Sequence, residues 1–237
     1  MLVKRALQAS TALAVFAGVG QAQAGDFYVS VLGGANFLQS HSGRTTSIST
    51  DTNYKVDPDV GFLLGGAVGL HLDRWLNGLR AELEASYRRN NLGGHWSQDS
   101  FFFGPTGGPI DGRMSTFALM ANVWYDINLD SKFKPYLGGG AGWARTKVDG
   151  VLAETFGVLG GQSTTFSVER SGFAFQLGAG VNYEIQDGVS IGLGYRFFHG
   201  PDIKNDVFIG KNNNRNLPVN FDNENHSVLL SLTIDTN

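Results

Sequence analysis

The sequence contains no cysteine, which excludes disulfides, thiolate metal sites and catalytic thiols. It is poor in charge, at 16% Asp, Glu, Lys and Arg, where ordinary globular chains carry about 25%. It has no excess of basic residues: the formal net charge is −3, so no positive field recruits nucleic acid. Disorder needs high charge and low hydrophobicity, and a 42% hydrophobic content argues against it. No segment beyond the N-terminal region approaches the ~20 apolar residues of a spanning helix. A membrane protein with this sequence therefore has to cross as a closed barrel.

The N-terminal region reads as an address. Lys4 and Arg5 form a positive start, Ala6 to Gly20 an apolar stretch, and Ala22-Gln23-Ala24 a small-residue cleavage site. We expect residues 1–24 to be a cleaved signal peptide and 25–237 to be the barrel domain.

What is abundant is glycine, 33 residues, set among alternating strand patterns. Gly78 to Asn90 reads GLRAELEASYRRN. Leu79, Ala81, Leu83, Ala85 and Tyr87 share one parity; Arg80, Glu82, Glu84, Ser86 and Arg88 share the other. A period of two places the sets on opposite faces of a strand. A soluble sandwich would wet the charges, whereas a transmembrane barrel would put them in the lumen. This segment alone leaves both open.

The same alternation recurs along the chain. Phe27, Val29, Val31 and Phe37 oppose Tyr28, Ser30, Gly34 and Asn36. Val60 to Leu70, Phe117 to Ile127, Phe133 to Trp143, Phe173 to Ile185, Ile191 to Phe197 and Val228 to Ile234 repeat it, giving eight strands in all. The connections alternate in length. Gln39 to Pro58, Asn91 to Gly112, Val148 to Ser171 and Gly200 to Glu224 read as long polar loops. Asp73 to Asn77, Leu129 to Lys132 and the Asp-Gly turn at Gln186 to Gly188 are tight. Long loops at one end and short turns at the other are the pattern of an outer-membrane barrel. Aromatic residues gather near strand ends, Tyr125, Phe133 and Tyr183 at the turn end and Tyr87, Trp143 and Phe197 at the loop end. We expect these to form two interfacial girdles. The predicted fold is an all-β, eight-stranded antiparallel up-and-down transmembrane β-barrel.

The ordered set GLRAELEASYRRN, ALMANVWYDI, KPYLGGGAGWAR, FQLGAGVNYEI, IGLGYRFF and HSVLLSL resembles one family across residues 25–237. It is the eight-stranded outer-membrane β-barrel family of opacity-like surface antigens, related to the membrane domain of outer membrane protein A. The resemblance implies a Gram-negative outer membrane, a setting of outer-membrane lipids and lipopolysaccharide, and surface display of an antigen or adhesin. It also implies insertion by the barrel-assembly machinery, which in members typically reads a terminal aromatic residue. This chain departs from that pattern, ending Leu232 to Asn237 with Ile234 as its last apolar outward residue. Only Thr236 and Asn237 come after the last strand, so no wall-anchoring domain is expected.

Eight strands enclose little more than side chains. We expect Arg196 to reach across the lumen to Glu82 or Glu84, and Arg80 to meet Asp126 and Glu184, with Arg88 in the same network. Unpaired buried charges are too costly to leave alone. A plugged structural barrel is the main reading, and a narrow channel for small solutes or ions is the alternative. Other signals are weaker. Gly188 to Gly192 matches G-x-S-x-G, but Ser190 comes after a turn and opens a strand, without the strand–turn–helix that the motif needs. His199, His226 and Ser227 near the rim raise a third reading, a lipid A hydrolase. Asp202, Asp206, Asp222 and Glu224 fit no calcium-loop spacing. No catalytic set, metal site or cofactor is expected. Phe101 to Phe103 is an apolar triplet in a loop, suited to adhesion to a host or surface ligand or to covering the mouth.

Overall fold

The computed structural model describes residues 27–46, 50–101, 104–153, 163–209 and 215–236. The expected signal peptide lies outside these residues. Alternating side chains commit the chain to strands. In order they are β1 (Phe27–Leu38), β2 (His41–Thr46), β3 (Thr50–Pro58), β4 (Gly61–His71), β5 (Leu79–Ser100), β6 (Gly104–Asp126), β7 (Phe133–Ala153), β8 (Ser163–Gln186), β9 (Val189–His199), β10 (Ile203–Ile209), β11 (Arg215–Phe221) and β12 (Glu224–Thr236).

Eight of them close a ring in the order β1-β4-β5-β6-β7-β8-β9-β12, every neighbour antiparallel. The closing seam pairs Phe27 with Thr236 and runs to Leu38 with Asn225. Closure removes the unpaired edges that hydrocarbon would not tolerate. Among the described residues no helix is long and apolar enough to span a membrane. Val31, Leu64, Leu119, Leu177, Leu193 and Leu230 stand exposed on the outer wall. The tight turns match expectation. Gly78 and Gly188 hold positive φ, +87° and +74°, which glycine adopts without strain. Gly140 answers a different demand: a Cβ there would collide with the Ala121 carbonyl and the Asn122 side chain.

The four long connections differ from expectation. They are largely strand, not loop. β5 and β6 stay paired as far as Ser100 and Gly104, and β7 and β8 as far as Ala153 and Ser163. The β2–β3 hairpin pairs along the upper part of β5, and β10 pairs with β11. The reason is an apolar core above the ring. Leu38, Val56, Leu92, Trp96, Ile110, Met114, Val148 and Ile203 pack together there, flanked by Tyr54, Phe166 and Val168. Burial of that core holds the extensions in register. Of the Phe101 to Phe103 triplet, Phe101 is highly exposed, and the other two lie outside the described residues.

Candidate functional site

The lumen is filled in layers, ordered by height along β5. At the turn end Arg80 forks onto Asp126, donating from Nε to Oδ2 at 2.6 Å and from Nη2 to Oδ1 at 2.8 Å. Its Nη1 donates to the Tyr28 hydroxyl at 3.2 Å, which in turn donates to Glu82 at 3.0 Å. Glu82 also accepts from Asn122 at 3.0 Å and from the Trp124 indole at 3.1 Å.

Above it, Arg196 crosses from β9 and pairs with Glu84. The same carboxylate oxygen accepts from Gln176 and Asn122, each at 3.2 Å. The Arg196 guanidinium lies 4.9 Å over the Trp124 ring. Arg88 donates to Ser86 at 3.2 Å and sits 3.9 Å over the Phe198 ring. Isolated buried ions are very costly, so these pairings and ring contacts are what make the burial tolerable.

Of the sequence-predicted lumen residues, Arg80, Glu82, Glu84, Arg88, Asp126 and Arg196 come together, all buried. Glu184 does not. It stays near the turn end and pairs with Lys134 of the adjoining strand at 2.9 Å, both side chains partly exposed. Of the two partners expected for Arg80, Asp126 is engaged and Glu184 is not. Charge balance accounts for this: three buried arginines already face three buried carboxylates. A fourth carboxylate in the lumen would lack a cation.

Sequence reasoning missed the rings and amides that complete the network. Tyr28 lies against Gly69, Trp124 against Gly178, and Tyr136 against Gly180 and Gly194. The space that these glycines leave beside Arg196 is filled by aromatic side chains. Their even numbering was the available signal. Higher still comes a neutral layer. Asn36 donates to Asn90 at 2.6 Å and to Asn225 at 2.7 Å, and Ser227 donates to Asn36 at 2.7 Å. Thr116 and Thr146 share a hydrogen bond of 3.0 Å, and Asn223 donates to Thr146 at 2.8 Å. The apolar core lies above this layer. A cavity of about 30 Å³ lies beside Arg80, Tyr136, Asn182, Arg196 and Ser231, room for one or two waters.

The girdle residues lie on the outer wall. Phe133 and Tyr183 meet at 4.8 Å near the turn end, with Tyr125 exposed on β6. At the other end Phe62 and Tyr87 are 6.2 Å apart, Phe175 and Phe197 6.0 Å, and Trp143 is exposed. Among the described residues Ser227 does not meet either rim histidine. Ser227 is buried on Asn36, while the adjacent His226 faces outward and shares a 2.6 Å hydrogen bond with Tyr195. Successive residues of a strand point to opposite faces. His199 leans on Glu224 at 3.5 Å and Asp202 at 3.9 Å. The side chain of Asp206 lies outside the described residues.

Residues 9–221 match the family model of the outer membrane protein beta-barrel domain. The chain belongs to this family. It is a β-barrel of the Gram-negative outer membrane. OprG of Pseudomonas aeruginosa has the same fold: 15% identity, 90% of this chain and 97% of that one, TM-score 0.52. Neisserial surface protein A aligns at 16% identity over 88% and 96% of the two chains, with a TM-score of 0.47. An uncharacterized protein of Brucella suis is 30% identical over 129 residues, 50% of this chain and 45% of that protein. The alignment therefore spans less than half the length of this curated relative.

Proposed function

We propose that this barrel is a closed structural and display element of the outer membrane rather than a pore or an enzyme. Its ring anchors the chain among outer-membrane lipids and lipopolysaccharide after insertion by the barrel-assembly machinery. Its stiffened hairpins present the antigenic or adhesive surface. The observation that carries this reading is the lumen of the described residues, across which ion pairs, amides and an apolar core succeed one another. A hydrated ion needs a continuous wet path, and an apolar constriction opposes one. The non-enzymatic reading is supported by the opposed directions of Ser227 and His226.

The test is planar-bilayer recording of the refolded protein. A closed barrel gives no steady current, before or after the Arg196→Ala change. A steady conductance that shifts in that variant overturns the reading in favour of a narrow channel.

A further inference from the structure

The outer wall is not uniform around the ring. On each strand the apolar band ends at an identifiable residue, and the side chains beyond that residue differ from strand to strand. Beyond Tyr87, Phe117 and Trp143 come Arg89 on β5, Arg113 on β6, and Arg145 and Lys147 on β7. At the corresponding places β1 carries Gln39 beyond Phe37, β9 carries His199 beyond Phe197, and β12 carries His226 and Glu224 beyond Val228. Just beyond the apolar band β5, β6 and β7 thus carry four permanent cations, and the named positions of β1, β9 and β12 carry none. Arg145 is tied to Glu169 at 2.7 Å, and Lys147 to Asp149 at 2.8 Å. Arg89 and Arg113 form no direct ion pair among the described residues, although Arg113 also acts on Asp149, which Lys147 already holds in the same cleft. They line a common cleft of about 790 Å³ with Asn91, Asp149 and Ser167. Because Arg113 pairs in register with Asn91, Arg89 stands one pleat below it on the next strand. The two Cα atoms are about 8 Å apart by strand geometry, a span that one phosphate between two guanidinium forks can bridge.

Directly below lies a second feature. Two registered rows cross the same strands, Val31–Gly66–Ala85–Leu119 and Val68–Leu83–Ala121–Ala141. Small residues fall side by side, and the wall sinks into an apolar furrow of about 590 Å³. Ala85 is four residues below Arg89, about 13 Å along the strand. That is about half the ~25 Å apolar band of such barrels, the depth of one leaflet.

We propose that this wall seats a phosphorylated acyl lipid of the outer leaflet, with phosphate on Arg89 and Arg113 and one acyl chain in the furrow of Gly66, Ala85, Ala121 and Ala141. The seat rests on the proposed association with lipopolysaccharide and assigns it a place. Charge above and furrow below select an amphiphile. A free anion would use only the arginines, and an uncharged lipid only the furrow. Asp111, a pleat beyond Arg113, faces sugar hydroxyls rather than phosphate.

Native mass spectrometry of the refolded full chain in detergent micelles tests this with lipid A carrying both phosphates as the probe. A one-to-one adduct is expected, at least tenfold weaker in Arg89→Ala/Arg113→Ala and weakened by salt, because exposed charges are screened. Removing the phosphates from the lipid has the same effect. Ala121→Leu fills the furrow and weakens the adduct while leaving both arginines in place. His199→Gln/His226→Gln, on another wall, leaves it unchanged. Heat-modifiable gel mobility confirms that each variant is folded. Adducts indifferent to the arginine pair overturn the seat, as does full displacement by inorganic phosphate at equal concentration. Either result leaves the closed barrel standing, whereas a steady bilayer current removes the closed barrel and leaves the adduct result untouched.

Discussion

Replacing Arg196 with alanine isolates the energetic core of the lumen. Glu84 is 2% exposed, and Arg196 is its direct cationic partner. The remaining donors to Glu84 are neutral: the amides of Gln176 and Asn122 and the Ser86 hydroxyl. Arg88 donates to Ser86 and lies over the Phe198 ring, and it acts on Glu84 only through space, which places the cost of losing Arg196 toward the lower end of the range for a buried pair. Removing one member of a buried pair costs about 3–5 kcal/mol, because the other is left as an uncompensated buried charge. The lumen also shifts from three cations against three carboxylates to two against three. The ring contact with Trp124 is lost as well. At ~1.4 kcal/mol per factor of ten, the folded-to-unfolded ratio falls by about two to three and a half orders of magnitude. Reversible urea unfolding into lipid vesicles, monitored by tryptophan fluorescence, measures the change. The double variant Glu84→Gln/Arg196→Met removes both charges and keeps the volume, so it recovers most of the loss. The coupling between the two sites is then about 2 kcal/mol or more. An Arg196→Ala cost below about 1 kcal/mol, the level of a solvent-exposed pair, refutes the reasoning. So does a double variant that is worse than both singles together.

The hairpin extensions yield two further expectations. Trp96→Ala removes the largest side chain of the upper core, a loss of about 3–5 kcal/mol for a buried ring. It should open β5 and β6 to protease above Leu92 while the heat-modifiable band of the ring survives. The β7–β8 extension should respond to acid. Hydrogen bonding from Arg145 holds the Glu169 carboxyl below its usual range, and hydrogen bonds from Lys147 and Ser167 do the same for Asp149. A depressed carboxylate stabilises the fold above its ordinary value near ~4 and loses that contribution as pH falls through the lowered value. Pepsin cleavage between Val148 and Val168 is therefore flat down to about pH 4 and rises below it, and a rate independent of pH down to about pH 2 contradicts the assignment.

The ring was legible because lipid outside and a polar lumen inside impose one period on all its strands. Tyr28, Ser30 and Asn36 face in on β1, as Thr116, Ala118, Asn122 and Asp126 do on β6. The Arg196–Glu84 pair was legible from the same parity to within one pleat, since Arg196 is the charged inward residue of a glycine-rich strand and Glu82 and Glu84 are the inward carboxylates of β5. Glu184 shares that parity but lies two residues from the turn, where Lys134 across the ladder is nearer than anything in the lumen. Parity gives the face, and height decides the partner. The extensions were illegible for a different reason. Within the membrane the outward residues of β5 are Leu79, Leu83 and Tyr87 and the inward ones are charged. Above it Arg89, Asn91, His95 and Ser97 face out and Leu92 and Trp96 face in. β6 makes the same exchange at Arg113 and Asp111 against Met114 and Ile110. The period of two never stops; its polarity reverses. A reading that tracks the apolar parity sees the pattern vanish there and reports a loop.

That reversal bears on where recognition can occur. A strand leaving hydrocarbon for water must exchange its faces, and at the crossing neither a charge nor an apolar side chain suits the interior. The barrel places neutral groups there, Asn36, Asn90, Asn225, Ser227, Thr116 and Thr146, each satisfied by its neighbours. Arg88 and the Phe198 ring reach into this layer, in register with Thr116 and Asn225, and the ion pairs lie below it and the upper apolar core above. A solute entering from outside would meet closely packed Trp96, Ile110 and Val148 before any charge. The outer wall and the hairpin ends stay accessible. On the proposed reading recognition belongs on those surfaces, where Arg89 and Arg113 form no direct ion pair among the described residues, and not on the many buried polar residues.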